Sequence, residues 1–148
     1  MPDLLVNLLK LPALEEEAGE FNVRRAQPFE ISQVRRFVAE NFSPGWADEI
    51  SVGFARQPIS VYIATVDREL AGFAAYECTR RGFFGPTGVI QSARGKGIGK
   101  VLLLAALWSL REMGYVYAII GAAGPVRFYQ PSVRLLFRTA NPVFTPTR

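Results

Sequence analysis

The chain has 148 residues and 16.4 kDa, with 49% hydrophobic and 20% charged residues, the balance of one folded domain with its own core. It contains no histidine and a single cysteine, Cys78. That excludes an intrachain disulfide, a cysteine-based zinc site, histidine-ligated metals and Ser-His-Asp or Cys-His catalysis. Seventeen basic against thirteen acidic residues give a net charge of +4, which suits an anionic small ligand better than nucleic acid. Acid–base chemistry falls to Tyr, Asp, Glu, Lys, Cys or water. The longest apolar stretch, residues 101–108, is too short to cross a bilayer. Asp3 and Pro12 break the order of a signal peptide, so a cytoplasmic protein without a membrane partner is expected.

Residues 1–20 are expected to form an N-terminal arm. Leu4, Leu5, Val6, Leu8, Leu9 and Leu11 are apolar and Glu15, Glu16 and Glu17 form an acidic run. The segment reads either as a strand or short helix docking on the domain or a partner, or as a loosely packed arm. Residues 21–148 read as one domain. Residues 21–26 alternate as a strand. Ile31, Val34, Phe37 and Val38 space a helix that follows Pro28 and runs to about Phe42. Ser43-Pro44-Gly45 stops it, and a second helix spans about 46–56. Residues 59–66 and 70–78 form a hairpin around Asp67-Arg68-Glu69. A third strand, 83–90, is interrupted by Gly85-Pro86 and Gly88, which marks a bulge or the approach of another molecule. A strong helix runs to Met113, with Ile98, Val101, Leu102, Ala105 and Trp108 on one stripe and Gly114 at its end. A buried-type strand over 115–120 and a short helix from Pro125 follow. The order predicts an α/β or α+β domain built on one mixed sheet.

The chemistry concentrates in the strand, Gly-rich turn and helix at 83–113. Gly95, Gly97 and Gly99 allow consecutive backbone N–H groups to point one way, with no Cβ between them and a ligand. The helix adds its N-terminal partial charge, and Arg94, Lys96 and Lys100 add full charges. All of this favours phosphate oxygens. A Walker A loop would need a hydroxyl where Val101 follows Lys100, and a dinucleotide fingerprint needs G-x-G-x-x-G where this chain has G-x-G-x-G. Both nucleotide readings are therefore poor.

Arg94, Gly97 and Gly99 fill the pattern R/Q-x-x-G-x-G/A, and about residues 21–130 resemble the GCN5-related N-acetyltransferases. Within that family the chain looks most similar to a bacterial subgroup of unassigned substrate. The phrases that carry the likeness are Phe83-Phe84-Gly85-Pro86-Thr87-Gly88-Val89, Gly45-Trp46-Ala47 and Gly124-Pro125-Val126 with Phe128-Tyr129. The resemblance implies a mixed central sheet flanked by helices, a splayed strand and a Gly-rich acetyl-CoA loop. It places Val89, Ile90 and Gln91 along the pantetheine arm. It makes Arg94, Gly95, Lys96, Gly97, Ile98, Gly99 and Lys100 the pyrophosphate cradle, with Phe128 beside the cofactor. Tyr129 matches the tyrosine near the thioester sulfur that protonates the leaving thiolate, although a tyrosine in an apolar helix is otherwise usually core.

The implied activity is transfer of an acetyl group from acetyl-CoA to a primary amine of a small molecule or peptide. Attack is direct, with no covalent enzyme and no metal. The alternative is a non-catalytic acyl-CoA-binding or interaction module of the same fold. Glu77 is the chosen general base, with Glu49, a water chain or another carboxylate left open. Cys78 reads as a small buried hydrophobe. The acceptor side is expected from the two N-terminal helices and the hairpin, where Trp46, Phe54, Tyr62, Tyr76, Asp48 and Glu49 lie; these aromatics read equally as core.

The tail is atypical from about residue 131. The subgroup ends in an apolar run and P-x-S-E-P-G, whereas residues 131–148 contain no glycine and no acid. Written in GC-rich codons and read two bases later, residues 134–143 spell APVPDGEPGV, close to that ending. The tail from about Arg134 is therefore expected to be out of register with its ancestral frame, leaving a sheet without its usual last strands, although residues 133–137 could still form one strand. An open edge of that kind invites a second copy to pair with it.

Overall fold

The computed structural model describes residues 3–14 and 19–121, and the backbone alone of 135–138. Within these lie strands β1 (Leu4–Asn7) and β2 (Asn22–Arg25), and helices α1 (Ile31–Asn41) and α2 (Pro44–Phe54). Strands β3 (Val61–Val66), β4 (Glu69–Tyr76) and β5 (Phe83–Val89) follow. Helix α3 (Ile98–Glu112) and strands β6 (Tyr117–Ile120) and β7 (Leu135–Arg138) complete the set. One mixed sheet runs in the order β2-β3-β4-β5-β6-β1-β7. Every pair is antiparallel except β5–β6, which α3 connects as a parallel crossover.

Local chemistry explains the boundaries. Ser43 caps α2, its hydroxyl accepting the Trp46 N–H at 3.0 Å, and Pro44 occupies the first helical turn. Asp67 and Arg68 both have positive φ, 51° and 67°. That is the requirement of a two-residue hairpin turn matched to strand twist, and it joins β3 to β4. At the entry to α1, Arg24 donates to both carboxylate oxygens of Glu30 at 2.8 Å. Glu30 also accepts the Gln27 N–H at 2.8 Å. The Arg24 hydrogen bonds hold the Glu30 carboxyl below its ordinary range.

The sheet is covered on both faces, so two cores form. On one face α3 packs over Ala64, Ala71, Ala74, Tyr76 and Phe84. On the other, α1 and α2 place Val34, Val38, Ala47, Ile50 and Phe54 over Val61, Ile63 and Phe73. The buried face of α3 is wider than the sequence stripe. Ile98, Leu102, Leu103, Leu104, Ala106, Leu107 and Leu110 are buried, while Val101, Ala105 and Trp108 are half-buried on its flank.

Of the readings of the opening segment, the strand is the one that forms. β1 is an internal strand with Leu4 and Val6 buried in the α3-side core, and Leu8, at the start of the 3-10 turn that follows, is buried with them. The chain then turns beneath α3, where Trp108 Nε1 donates to the Pro12 carbonyl at 2.8 Å. From the tail, β7 pairs antiparallel with β1, with an irregularity between Leu5 and Val6. Beyond β6 the sheet is thus continued first by the start of the chain and then by a short C-terminal strand.

Candidate functional site

β5 and β6 are hydrogen-bonded only at Phe83↔Ile119 and Phe84↔Ile120. From Gly85 onward β5 remains paired with β4 alone among the described residues. β6 ends at Ile120, so the described pairing covers the first two residues of β5, and Phe83 and Phe84 are both buried. The Thr87 hydroxyl donates to the Phe73 carbonyl at 3.0 Å, which ties the later part of β5 to β4.

The turn after β5 is anchored at its start and open at its end. Ile90 N–H donates to the Ala71 carbonyl at 2.9 Å, residues Gln91–Ala93 form one 3-10 turn, and Arg94 Nε donates to the Val89 carbonyl at 3.2 Å. Gly95 and Gly97 then take φ of 87° and 86°, the left-handed region that favours glycine. The first helical hydrogen bond of α3 runs from Val101 N–H to the Gly97 carbonyl. No protein acceptor among the described residues takes the N–H groups of residues 95–100. A run of backbone donors alternating through left-handed glycines at a helix start is an anion-binding concavity.

A cleft of about 500 Å³ joins this concavity to β5, bounded by Thr87, Val89, Arg94, Gly95, Gly97 and Lys100. Arg94, Lys96 and Lys100 make no ion pair among the described residues, and the first turn of α3 carries no acid. Charge, donors and space therefore fit a phosphate-bearing ligand. Of the residues expected in the cradle, Ile98 is buried with its side chain in the core, so it offers its backbone only. Thr87, Gly88 and Ala93 also line the cleft and were missed by sequence reasoning. The interrupted strand around Gly85-Pro86 and Gly88 was the signal that could have found the first two.

The candidate acid–base residues fare differently. Phe128 and Tyr129 lie outside the described residues. Glu77 follows β4 with φ of 61° and is buried. Its carboxylate accepts the Gly82 N–H and its carbonyl accepts from Arg56 Nε at 3.0 Å. Burial, then hydrogen bonding to Glu77, pushes the Tyr115 hydroxyl above its ordinary range. Burial likewise raises the Cys78 thiol, which sits in the α1/α2-side core. A thiol held in that protonated form is not an activated nucleophile. Burial raises the Glu49 carboxyl, opposed by a hydrogen bond from Thr79.

The expected acceptor aromatics divide between the two faces. Trp46 stacks on Phe42 at 6.0 Å and meets Phe73 edge-on at 6.2 Å on the α1/α2 side. Tyr62 and Tyr76 stack on each other on the α3 side. Alternation along β3 and β4 separates them, so the four aromatics do not form one pocket.

A mixed sheet whose β5–β6 parallel pair is joined through an anion cradle and a helix defines an α+β scaffold suited to a phosphate-bearing ligand. The chain belongs to the acetyltransferase (GNAT) family, whose profile matches residues 17–132. No curated protein matches the sequence. The fold is shared with several solved structures of low sequence identity. The GCN5-related glucosamine N-acetyltransferase region of a fungal multi-domain β-N-acetylglucosaminidase superposes with a TM-score of 0.72 at 16% identity, over 92% of this chain and 19% of that one. A GCN5-related N-acetyltransferase from Sphaerobacter thermophilus gives 0.70 at 16% identity, over 93% and 49%. A GNAT acetyltransferase from Brucella melitensis in complex with acetyl-CoA gives 0.55 at 21% identity, over 74% and 80%. The chain thus spans half or less of the first two proteins' length. Among the described residues, no helix is long and apolar enough to cross a membrane, and no group of three or more His, Cys, Asp or Glu is placed to hold a metal ion.

Proposed function

We propose that the protein transfers the acetyl group of acetyl-CoA to a primary amine of a small molecule or peptide by direct attack. The observation that carries this reading is the run of N–H groups over residues 95–100 without acceptors among the described residues, at the turn that leads from β5 into α3. In the proposed complex the main-chain donors and Arg94, Lys96 and Lys100 hold the pyrophosphate. The backbone of β5 from Gly85 to Val89 is proposed to pair with the amide groups of the pantetheine arm. The amine nitrogen bonds to the thioester carbonyl carbon, the C–S bond breaks, and the amine's surplus proton passes to a base. Glu77 is the proposed base. Tyr129 is proposed to return a proton to the CoA thiolate, a role a phenol of pKa near ~10 can fill.

The alternative, a module that binds acyl-CoA without turning it over, is favoured by one observation. The Glu77 carboxylate is buried and already engaged by the Gly82 N–H. Two measurements separate the readings. Native-state binding of acetyl-CoA raises thermal stability, by about 2.7 kcal/mol at a hundredfold excess over Kd. CoA release in the presence of an amine panel then reports turnover. Stabilisation without CoA release for any amine selects the binding module, and stabilisation by ATP but not by CoA overturns both.

A further inference from the structure

A second cavity, of about 430 Å³, lies between the α2–β3 connection and the C-terminal end of α3. The fifteen residues of α3 put it roughly 20 Å from the Gly97 cradle. Arg25, Arg56, Ser60, Tyr76, Ser109 and Glu112 are on its wall. The half-buried guanidinium of Arg25 is fixed by neutral groups alone. It donates to the Ile59 carbonyl at 2.6 Å, to the Tyr76 hydroxyl, to the Tyr62 hydroxyl at 2.9 Å and to Ser109 Oγ at 3.3 Å. It also stands 4.8 Å from the Tyr62 ring centroid. Arg56 spends Nε on the Glu77 carbonyl, and its two terminal nitrogens have no partner among the described residues. Neither arginine is in an ion pair there.

The hydroxyls leave one further donor. Ser109 Oγ donates to the Ala105 carbonyl at 2.9 Å, so the 2.7 Å contact between Tyr62 and Ser109 uses the Tyr62 proton. The Tyr76 hydroxyl accepts from Arg25 and its own proton has no acceptor among the described residues. Glu112 stands exposed at the rim, and the Glu77 carboxylate is turned to the Gly82 N–H. The cavity wall, which Glu77 and Glu112 also border, is thus supplied with donors and with two cations that make no direct ion pair among the described residues. A partly desolvated charge in that state is stabilised by a bound counter-ion.

We propose that this cavity binds the carboxylate or phosphate group of a small organic anion, with Arg56 and Tyr76 as its donors and Arg25 as the fixed charge behind them. Glu77, the proposed base, also borders the cavity, but none of the donors named here is drawn from the acetyl-transfer reading. The test is thermal unfolding in millimolar inorganic phosphate or succinate, against sodium chloride at matched ionic strength. A saturable rise in Tm that is lost in Arg56→Gln and kept in Lys96→Gln supports the site. Which of the two probes produces it assigns the anion. The increment over chloride, not the absolute Tm, is compared, so a change in basal stability of Arg56→Gln leaves the reading intact. No increment with either probe, an increment unchanged by Arg56→Gln, or one abolished by Lys96→Gln would each overturn the proposal. The last outcome would place the anion in the Gly97 cradle.

Discussion

The ring of Phe42 stands where a side chain on Gly88 would have to go: a Cβ built on Gly88 runs into Phe42 Cε1. Phe42 caps the end of α1, with its ring centroid 5.4 Å from that of Phe73 and 6.0 Å from that of Trp46, and presses this aromatic group onto β5 at Gly88. Gly88→Ala should therefore destabilise the protein by about 1–3 kcal/mol through overpacking. In a Phe42→Ala background the same change should cost less, a coupling read from denaturant midpoints of the four proteins. Equal costs in both backgrounds would show that the two positions do not bear on each other.

Gly97 tests the cradle by a different route. A Cβ there meets nothing within 4 Å, so space is not limiting; the φ of 86° is. A β-branched residue in the left-handed region costs roughly 1–2 kcal/mol, and relaxing that strain turns the N–H groups out of line. Gly97→Val should weaken CoA binding about tenfold or more, which is about 1.4 kcal/mol. Gly97→Asn, which tolerates that conformation, should stay near wild type. Calorimetric titration of CoA into both variants decides, and a folded Gly97→Val with unchanged affinity contradicts the cradle.

Glu77 and Tyr129 are separable by conservative variants. Glu77→Gln keeps an oxygen for the Gly82 N–H, so it should fold like wild type yet lose turnover if the carboxylate is the base. Glu77→Ala should lose stability as well. Tyr129→Phe removes only a proton donor, so kcat should fall by about 100-fold while CoA affinity holds. Wild-type turnover in Glu77→Gln moves the base elsewhere, and wild-type turnover in Tyr129→Phe leaves thiolate protonation to water.

The Glu30 carboxyl predicts a pH dependence of stability. Its folded pKa is lowered, first by the hydrogen bond from Arg24. The contribution is therefore present above the unfolded value of about 4.3 and lost as pH falls through the folded value. Allowing for solvent screening of the pair, Glu30→Gln should cost about 0.5–1 kcal/mol at pH 7. It should cost little near pH 2. Urea unfolding of both proteins across that range checks the convergence; a constant difference would refute the linkage.

The tail makes a prediction about the gene. If residues 134–143 are out of register, their codons read two bases later should spell APVPDGEPGV or a close relative of it. Sequencing the coding region answers this directly, and codons that give no such reading end the idea.

Much of this protein was legible without coordinates because its signals are local. The spacing of Ile31, Val34 and Val38, the Ser43-Pro44 start of α2, the Asp67-Arg68 turn and the glycines before α3 act through contacts a few residues long. Each forms close to where the pattern puts it. Side choice and pairing beyond the β3–β4 hairpin were not legible, because they depend on groups far apart in sequence. Tertiary structure alone put β1 between β6 and β7 and sent Tyr62 and Tyr76 to the face opposite Trp46. It also brought Arg25 to Ser109, 84 residues on. A single sequence carries the periods of its strands and helices, but partners across a sheet are selected by burying both faces at once.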